Sequence, residues 1–185
     1  KADGIRRKRQ RAIDLADEFL RATFLDMFGD PVTNPKGWPV NVLRDNLKFL
    51  TSGSRGWAKY YSDTGQMFIR IKNVGNNELL LADMAYVQAP SNAEAARTRV
   101  QLGDVLLSIT ADLGRTAVVT DEIRGAYINQ HLALLRLDTT QLNPQFVSAQ
   151  LGSKAGLSQF LSLNKSAVKA GLNFTDIKQF KIINP

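Results

Sequence analysis

Between Thr51 and Val74 the chain reads TSGSRGWAKYYSDTGQMFIRIKNV, a stretch in which residue types able to hold a ligand follow one another closely. It opens with Ser52-Gly53-Ser54-Arg55-Gly56, a flexible run that can bring a guanidinium and backbone amides close to a ligand. Trp57, Tyr60 and Tyr61 then alternate with Lys59. Aromatic faces interleaved with cations suit a polyanion that also carries flat bases, since bases stack while phosphates pair with Lys and Arg. Met67 to Lys72 reads as a strand that projects Arg70 and Lys72 from one face. From Asn46 to Asn77 the only acid is Asp63, set against Lys48, Arg55, Lys59, Arg70 and Lys72. An ordinary strand-loop-strand with a solvated basic face would show the same charge pattern, so the rest of the chain has to decide.

Residues for bond-making chemistry are absent from the sequence pattern. No Gly-x-Gly-x-x-Gly run and no phosphate-binding Gly-Lys-Ser/Thr loop occurs. An adenine methyltransferase would need Asn/Asp-Pro-Pro-aromatic, and both Asn34-Pro35-Lys36 and Asn143-Pro144-Gln145 fail at the third position. A magnesium-dependent nuclease needs clustered carboxylates, and Asp176-Ile177-Lys178 follows a stretch from Thr139 to Thr175 without a single acid. His131, alone of its kind and in an apolar strand, reads as a hydrogen-bonded structural residue rather than a general base. Asp104 after Gly103 reads as a turn cap. The chain is expected to be no enzyme and to need no cofactor or metal.

The elements that must position the basic stretch follow from periodicity. Ile5 to Phe28 is predicted as one helix, with Ile13, Ala16, Leu20, Phe24 and Met27 on a coiled-coil-like apolar stripe, stopped by Gly29 and Pro31. That stripe must meet the chain's own domain or a partner helix. The turn-rich Asp30 to Pro39 places a boundary, giving a helical segment 1–29 and a domain 30–185. Val40 to Leu50 is a strand or a short helix. Short strands are expected at Glu78–Leu81 and Met84–Val87, a helix at Asn92–Thr98 opening on Ser91, and strands at Gly103–Ile109, Thr116–Val119 and Ala126–Leu137, with Arg115 ending the loop between the middle pair. Pro144 to Leu163 is expected as a helix interrupted near Gly152 and Gly156, with Phe146, Val147, Leu151, Phe160 and Leu161 on its apolar face. Asn164 to Asn173 is a polar loop carrying Lys165 and Lys169, and Phe174 to Ile183 closes with helix and strand. The fold class expected is α+β, a curved, mainly antiparallel sheet with flanking helices plus the N-terminal coiled-coil-like helix.

Composition sets the setting. The 185 residues carry net charge +7, but five of those seven charges fall in the first eleven residues, so elsewhere basicity is a matter of patches. The acid-free run from Thr139 to Thr175 reads as a second anion-facing surface. The absence of cysteine excludes a disulfide framework and a thiolate metal site, and a cytoplasmic setting is the default expectation. No run approaches the roughly 18 apolar residues of a membrane helix. A start without methionine and inside a helix reads as a fragment.

Taken in order, several short pieces resemble the specificity (S) subunit of type I restriction-modification systems. They are Phe24-Leu25-Asp26-Met27-Phe28-Gly29-Asp30-Pro31 with Asn34-Pro35-Lys36-Gly37-Trp38-Pro39, then Ser52-Gly53-Ser54, Phe68-Ile69-Arg70, Gly103-Asp104-Val105-Leu106-Leu107-Ser108, Ile128-Asn129-Gln130-His131, and Ile177 to Pro185. The resemblance implies a target recognition domain that reads one half of a split sequence in double-stranded DNA. It also implies a conserved helix that packs in a coiled coil and docks methyltransferase (M) subunits, with restriction (R) subunits in the same complex. This chain holds one such domain and a helix stub. DNA-binding residues are expected at Ser54, Arg55, Trp57, Lys59, Tyr60, Tyr61, Arg70, Lys72, Arg115, Lys165 and Lys169, with base reading at Arg55 and Arg70 and phosphate contacts at Lys165 and Lys169. Ile13, Ala16, Leu20, Phe24 and Met27 are the expected partner-helix interface, through which two copies can also pair. The competing readings are the recognition part of a fused type IIG-like enzyme and a coiled-coil adaptor.

Overall fold

A computed structural model describes residues 2–163 and 171–185. The chain divides into two compact units, Lys1–Pro39 and Val40–Asn184.

In the first unit, helix α1 spans Ala2–Phe28. It ends where Gly29 adopts a left-handed φ of 77° while its N–H still reaches the Leu25 carbonyl. The turn that follows folds back on the helix end: Lys36 Nζ donates to the carbonyls of Asp26 and Met27, and Trp38 Nε1 donates to that of Phe28. A cation and an indole N–H thus satisfy carbonyls that the helix itself leaves open, at the negative end of its dipole. Ile13, Leu20 and Met27 are exposed, as is Ala16, while Phe24 is half-buried with its ring against Phe28. Leu15 and Phe19, outside the predicted stripe, are exposed as well and widen the apolar face.

The second unit is built on strands β1 (Val40–Val42), β2 (Leu47–Ser52), β3 (Tyr61–Ser62), β4 (Gln66–Ile69) and β5 (Ala85–Val87), helix α2 (Ala93–Thr98), strands β6 (Val105–Ser108), β7 (Thr116–Val118), β8 (Tyr127–Ile128) and β9 (Leu132–Leu137), helices α3 (Pro144–Leu151), α4 (Lys154–Leu163) and α5 (Phe174–Lys178), and strand β10 (Lys181–Ile183). The strands form one antiparallel four-stranded sheet in the order β2-β9-β6-β7, a second in the order β3-β5-β4-β8, and the pair β1-β10. Pairing is antiparallel throughout except between β4 and β8.

The first sheet is covered on both faces, which explains its unbroken apolar strands. Along β6, Val105 and Leu107 join a core with Leu43, Val147, Phe160 and Phe180, while Leu106 joins Ile69, Val74 and Ile128 on the other side. At its entrance Asp104, 1% exposed, accepts two 2.8 Å bonds from the Arg136 guanidinium and one of 2.7 Å from the Gln101 N–H. The carboxylate does cap the turn, and it also ties β6 to β9.

Several predicted elements are cut shorter than their hydrophobic patterns suggest. The expected strand Ala126–Leu137 divides into β8 and β9, which belong to different sheets. Asn129 makes the corner, donating its N–H to the Ile69 carbonyl while its own carbonyl and side chain accept from Leu132 and His131. The Pro144–Leu163 helix is interrupted at Gly152-Ser153 as expected, giving α3 and α4, but Leu161 is 60% exposed rather than part of its apolar face. Glu78–Leu81 forms no strand, only an isolated bridge from Leu79 to Val74. Val40–Leu50 is strand, 3-10 turn and strand in succession. Helix α2 is capped by Asn92, not Ser91, through a 2.9 Å bond from the Ala95 N–H.

Candidate nucleic-acid interface

The run that follows β2 is ordered by its backbone rather than left flexible. Gly53 presses on the corner at Asn129, where a Cβ would fall well inside 3.0 Å of the Ile128 and Asn129 backbone. Close approach of two chains, not access for a ligand, is what requires glycine there. Ser54 caps a 3-10 helix over Arg55–Tyr60, its Oγ accepting from the Gly56 N–H at 3.4 Å and donating to Glu94. Arg55 and Lys59 are therefore presented from a helical turn, not from a loose glycine-rich loop.

The turn fixes which aromatics reach the surface. Trp57 is 3% exposed and lies against Phe68 at 5.2 Å and Tyr127 at 5.0 Å between ring centroids, with Tyr60 edge-on at 5.9 Å. It anchors the turn in the core and offers no face for base stacking, which corrects the expectation for this residue. Among the described residues its buried indole N–H has no acceptor, and apolar packing holds it. Tyr61 is 47% exposed and leans edge-on against Phe68, and Tyr60 is half-buried with Lys59 Nζ 5.0 Å from its ring centre. Arg55 is exposed and, among the described residues, has neither ion pair nor hydrogen bond.

The second half of the stretch is arranged differently. β4 ends at Ile69, and Arg70 opens a 3-10 turn over Ile71–Asn73 with its N–H donating to Asn73 Oδ1 at 3.0 Å, so Arg70 and Lys72 do not alternate along a strand. Both lie against Asp83. Arg70 Nη2 donates to the Asp83 carbonyl at 2.5 Å and lies 3.8 Å from its carboxylate, while Lys72 forms a direct ion pair with the same carboxylate. A hydrogen bond from Lys72, the charge of Lys72 and then that of Arg70 hold the Asp83 carboxyl below its ordinary range. Arg115 is paired with Asp112 and approaches the Val74 carbonyl at 3.5 Å, beside the Arg70 turn. Lys165 and Lys169 lie outside the described residues.

Contacts link the two halves through Asn129, which meets Gly53 on one side and bonds Ile69, next to Arg70, on the other. Gln130 and His131 continue this corner, half-buried. Gln130 Nε2 lies 3.0 Å from His131 Nε2 and Thr110 Oγ1 lies 2.6 Å from His131 Nδ1, so both ring nitrogens have a hydrogen-bonding neighbour. Both ring nitrogens are spent on structure, as expected of this residue. Sequence reasoning missed Glu94 and Arg97 of α2, which reach the same run: Arg97 Nη1 donates to Thr51 Oγ1 at 2.5 Å and to the Ser52 carbonyl at 2.6 Å. No local pattern announces them, because they lie about forty residues further along the chain. Among the described residues no group of three or more His, Cys, Asp or Glu gathers where a metal could sit, and no helix is long and apolar enough to cross a membrane.

Comparison with known proteins gives this geometry a context. No family model matches the chain. A protein of Methanocaldococcus jannaschii, assigned as the type I restriction enzyme MjaX specificity subunit, is 26% identical over 156 residues, which is 82% of this chain and 36% of that protein. Among solved structures, a chain from a study of complex assembly and conformational transition in the type I R-M system matches with a TM-score of 0.67 and 20% identity, over 98% of this chain and 43% of the other. The HsdS subunit from Thermoanaerobacter tengcongensis matches with a TM-score of 0.60 and 20% identity, over all of this chain and 42% of that one. The sequence thus spans about two fifths of the length of these proteins. In sequence the chain is similar to part of a type I restriction enzyme specificity subunit, and it shares its fold, long helix included, with about two fifths of the type I R-M and HsdS structures.

Proposed function

We propose that the chain is the DNA-reading part of a type I specificity subunit, addressing one half of a bipartite duplex target. The observation that carries this reading is the turn Arg55–Tyr60, where Trp57 is locked into the core while Arg55 and Lys59 stand at the surface without an acid partner. A guanidinium on a rigid turn can present two donors to a guanine edge, and Lys59 and the exposed Tyr61 suit backbone and base faces beside it. Arg70, Lys72 and Arg115 add cations near the Asn129 corner, but each must leave a carboxylate before it can meet a phosphate. Lys165 and Lys169 belong to the phosphate-contacting part of the proposal.

The wide apolar face of α1, with Ile13, Ala16, Leu20, Phe24 and Met27, is proposed as a coiled-coil seam for a partner helix, either from M and R subunits of the complex or from a second copy. The chain itself is proposed to be non-catalytic and cytoplasmic, with methylation and cleavage supplied by those partners. Fluorescence anisotropy with a duplex pool tests the reading. Binding that weakens steeply as salt is raised, with no methyl transfer or cutting by the chain alone, is expected from a few phosphate contacts. Tight binding that does not change with salt would contradict it.

A further inference from the structure

Helix α2 holds no residue of the basic stretch, yet two of its side chains end on the run that leads to Arg55. Arg97 bonds the Thr51 hydroxyl and the Ser52 carbonyl through one nitrogen, and Glu94 takes the Ser54 hydroxyl. Both side chains are themselves fixed at the root. The helix start is tied by Asn92, Ala95 packs with Trp57, and the fully buried Thr98 bonds the Glu94 carbonyl at 2.9 Å. From the opposite side Gly53 is wedged against Asn129. Residues 51–54 are thus held between two rigid elements, and the next side chain, Arg55, has no hydrogen bond or ion pair among the described residues. Two-donor recognition of a base edge tolerates an error of only about 0.5 Å in the group that presents it. A clamp immediately before the reading residue meets that demand.

Resting on the DNA-binding reading above, we infer that Glu94 and Arg97 are positioning residues that set sequence selectivity through Arg55. Neither is required to touch DNA. The alternatives are a phosphate contact by Arg97, a repulsive role for the Glu94 charge, and a brace that matters to stability alone. Each predicts a different pattern.

The full chain is used to enrich a duplex from a randomised pool, and variants are titrated on that duplex and on a scrambled one. Arg97→Ala is expected to lose about tenfold on the enriched duplex and less than threefold on the scrambled one, a loss that corresponds to one misaimed bidentate contact. In an Arg55→Ala background the same substitution should cost less than twofold, because its effect is transmitted through Arg55. Glu94→Gln, which keeps the acceptor, should retain selectivity that Glu94→Ala loses. Equal losses on both duplexes, or additivity with Arg55→Ala, would overturn the inference, as would Glu94→Gln and Glu94→Ala raising scrambled binding alike. Should Arg97→Ala fail to fold, the two Glu94 variants decide alone. A wild-type chain that binds no duplex at any salt would instead bring down the DNA-binding reading itself, a result distinct from all of these.

Discussion

Arg55 and Arg70 lie fifteen residues apart in one acid-poor stretch, and the structure puts them in opposite electrostatic situations. Arg55, on the 3-10 turn that carries the buried Trp57, forms no ion pair among the described residues. Arg70 shares Asp83 with Lys72, so a carboxylate already occupies the place a phosphate would take. An acid-poor window in sequence is therefore not an acid-poor surface. Asp83 enters from beyond the window, across a turn that closes over the end of β4. The same holds for the aromatics, where Trp57 is buried and Tyr61, four residues on, faces water.

The largest effect expected from this contrast concerns the aromatics. Trp57→Ala should cost about 3–5 kcal/mol of stability, as for a large buried ring, whereas Tyr61→Ala should cost under about 1 kcal/mol. Because the indole N–H has no acceptor, Trp57→Phe should be much milder than Trp57→Ala. Denaturant midpoints of the three variants check the order, and near-equal losses for Trp57→Ala and Tyr61→Ala would mean that the turn is not anchored through its indole.

A smaller effect separates the two arginines. On a duplex that the chain prefers, Arg55→Ala should weaken binding by about 1–3 kcal/mol, and Arg70→Ala by less, since Arg70 must first give up Asp83. Equal losses would show that the Asp83 contacts cost nothing to break. Releasing that hold should have the opposite sign. Asp83→Asn should tighten binding to an unrelated duplex and steepen its salt dependence, by up to about two units if both Arg70 and Lys72 then reach phosphates. An unchanged slope would place these cations away from the DNA.

The smallest effect is a titration. Asp83 has a folded-state pKa below its ordinary value, so the stability its ion pairs contribute is present above the unfolded value and is lost as pH falls through the lowered one. The carboxyl resonance of Asp83 should therefore titrate below that of an exposed reference aspartate in the same spectrum, and Lys72→Met should move it upward. A resonance indifferent to Lys72 would dissolve the pairing on which the contrast between the two arginines rests.

Much of this arrangement was legible in the sequence, and the illegible part has physical causes. Long apolar runs announced β6 and β9, the heptad-like stripe announced α1, and Gly103-Asp104 announced a capped turn. Periodicity could not show that Ala126–Leu137 changes sheet at Asn129, because both halves are apolar and only the long-range bond to Ile69 and the close approach of Gly53 make the corner. A tryptophan beside lysine and two tyrosines has the composition of a stacking surface, and only the 3-10 geometry turns its ring inward. Glu94, Arg97 and Asp83 were invisible as partners of the basic stretch because their contacts are tertiary. Sequence located the basic stretch, but which of its side chains stand free depends on Asp83 and on the packing of Trp57.

The account is tested most directly by enriching duplexes from a randomised pool with the wild-type chain and with Arg55→Ala in parallel. The wild type is expected to recover a short half-site motif containing guanine, and the variant the same motif with one position relaxed. An identical motif from both proteins would contradict the assignment of base reading to the turn at Arg55.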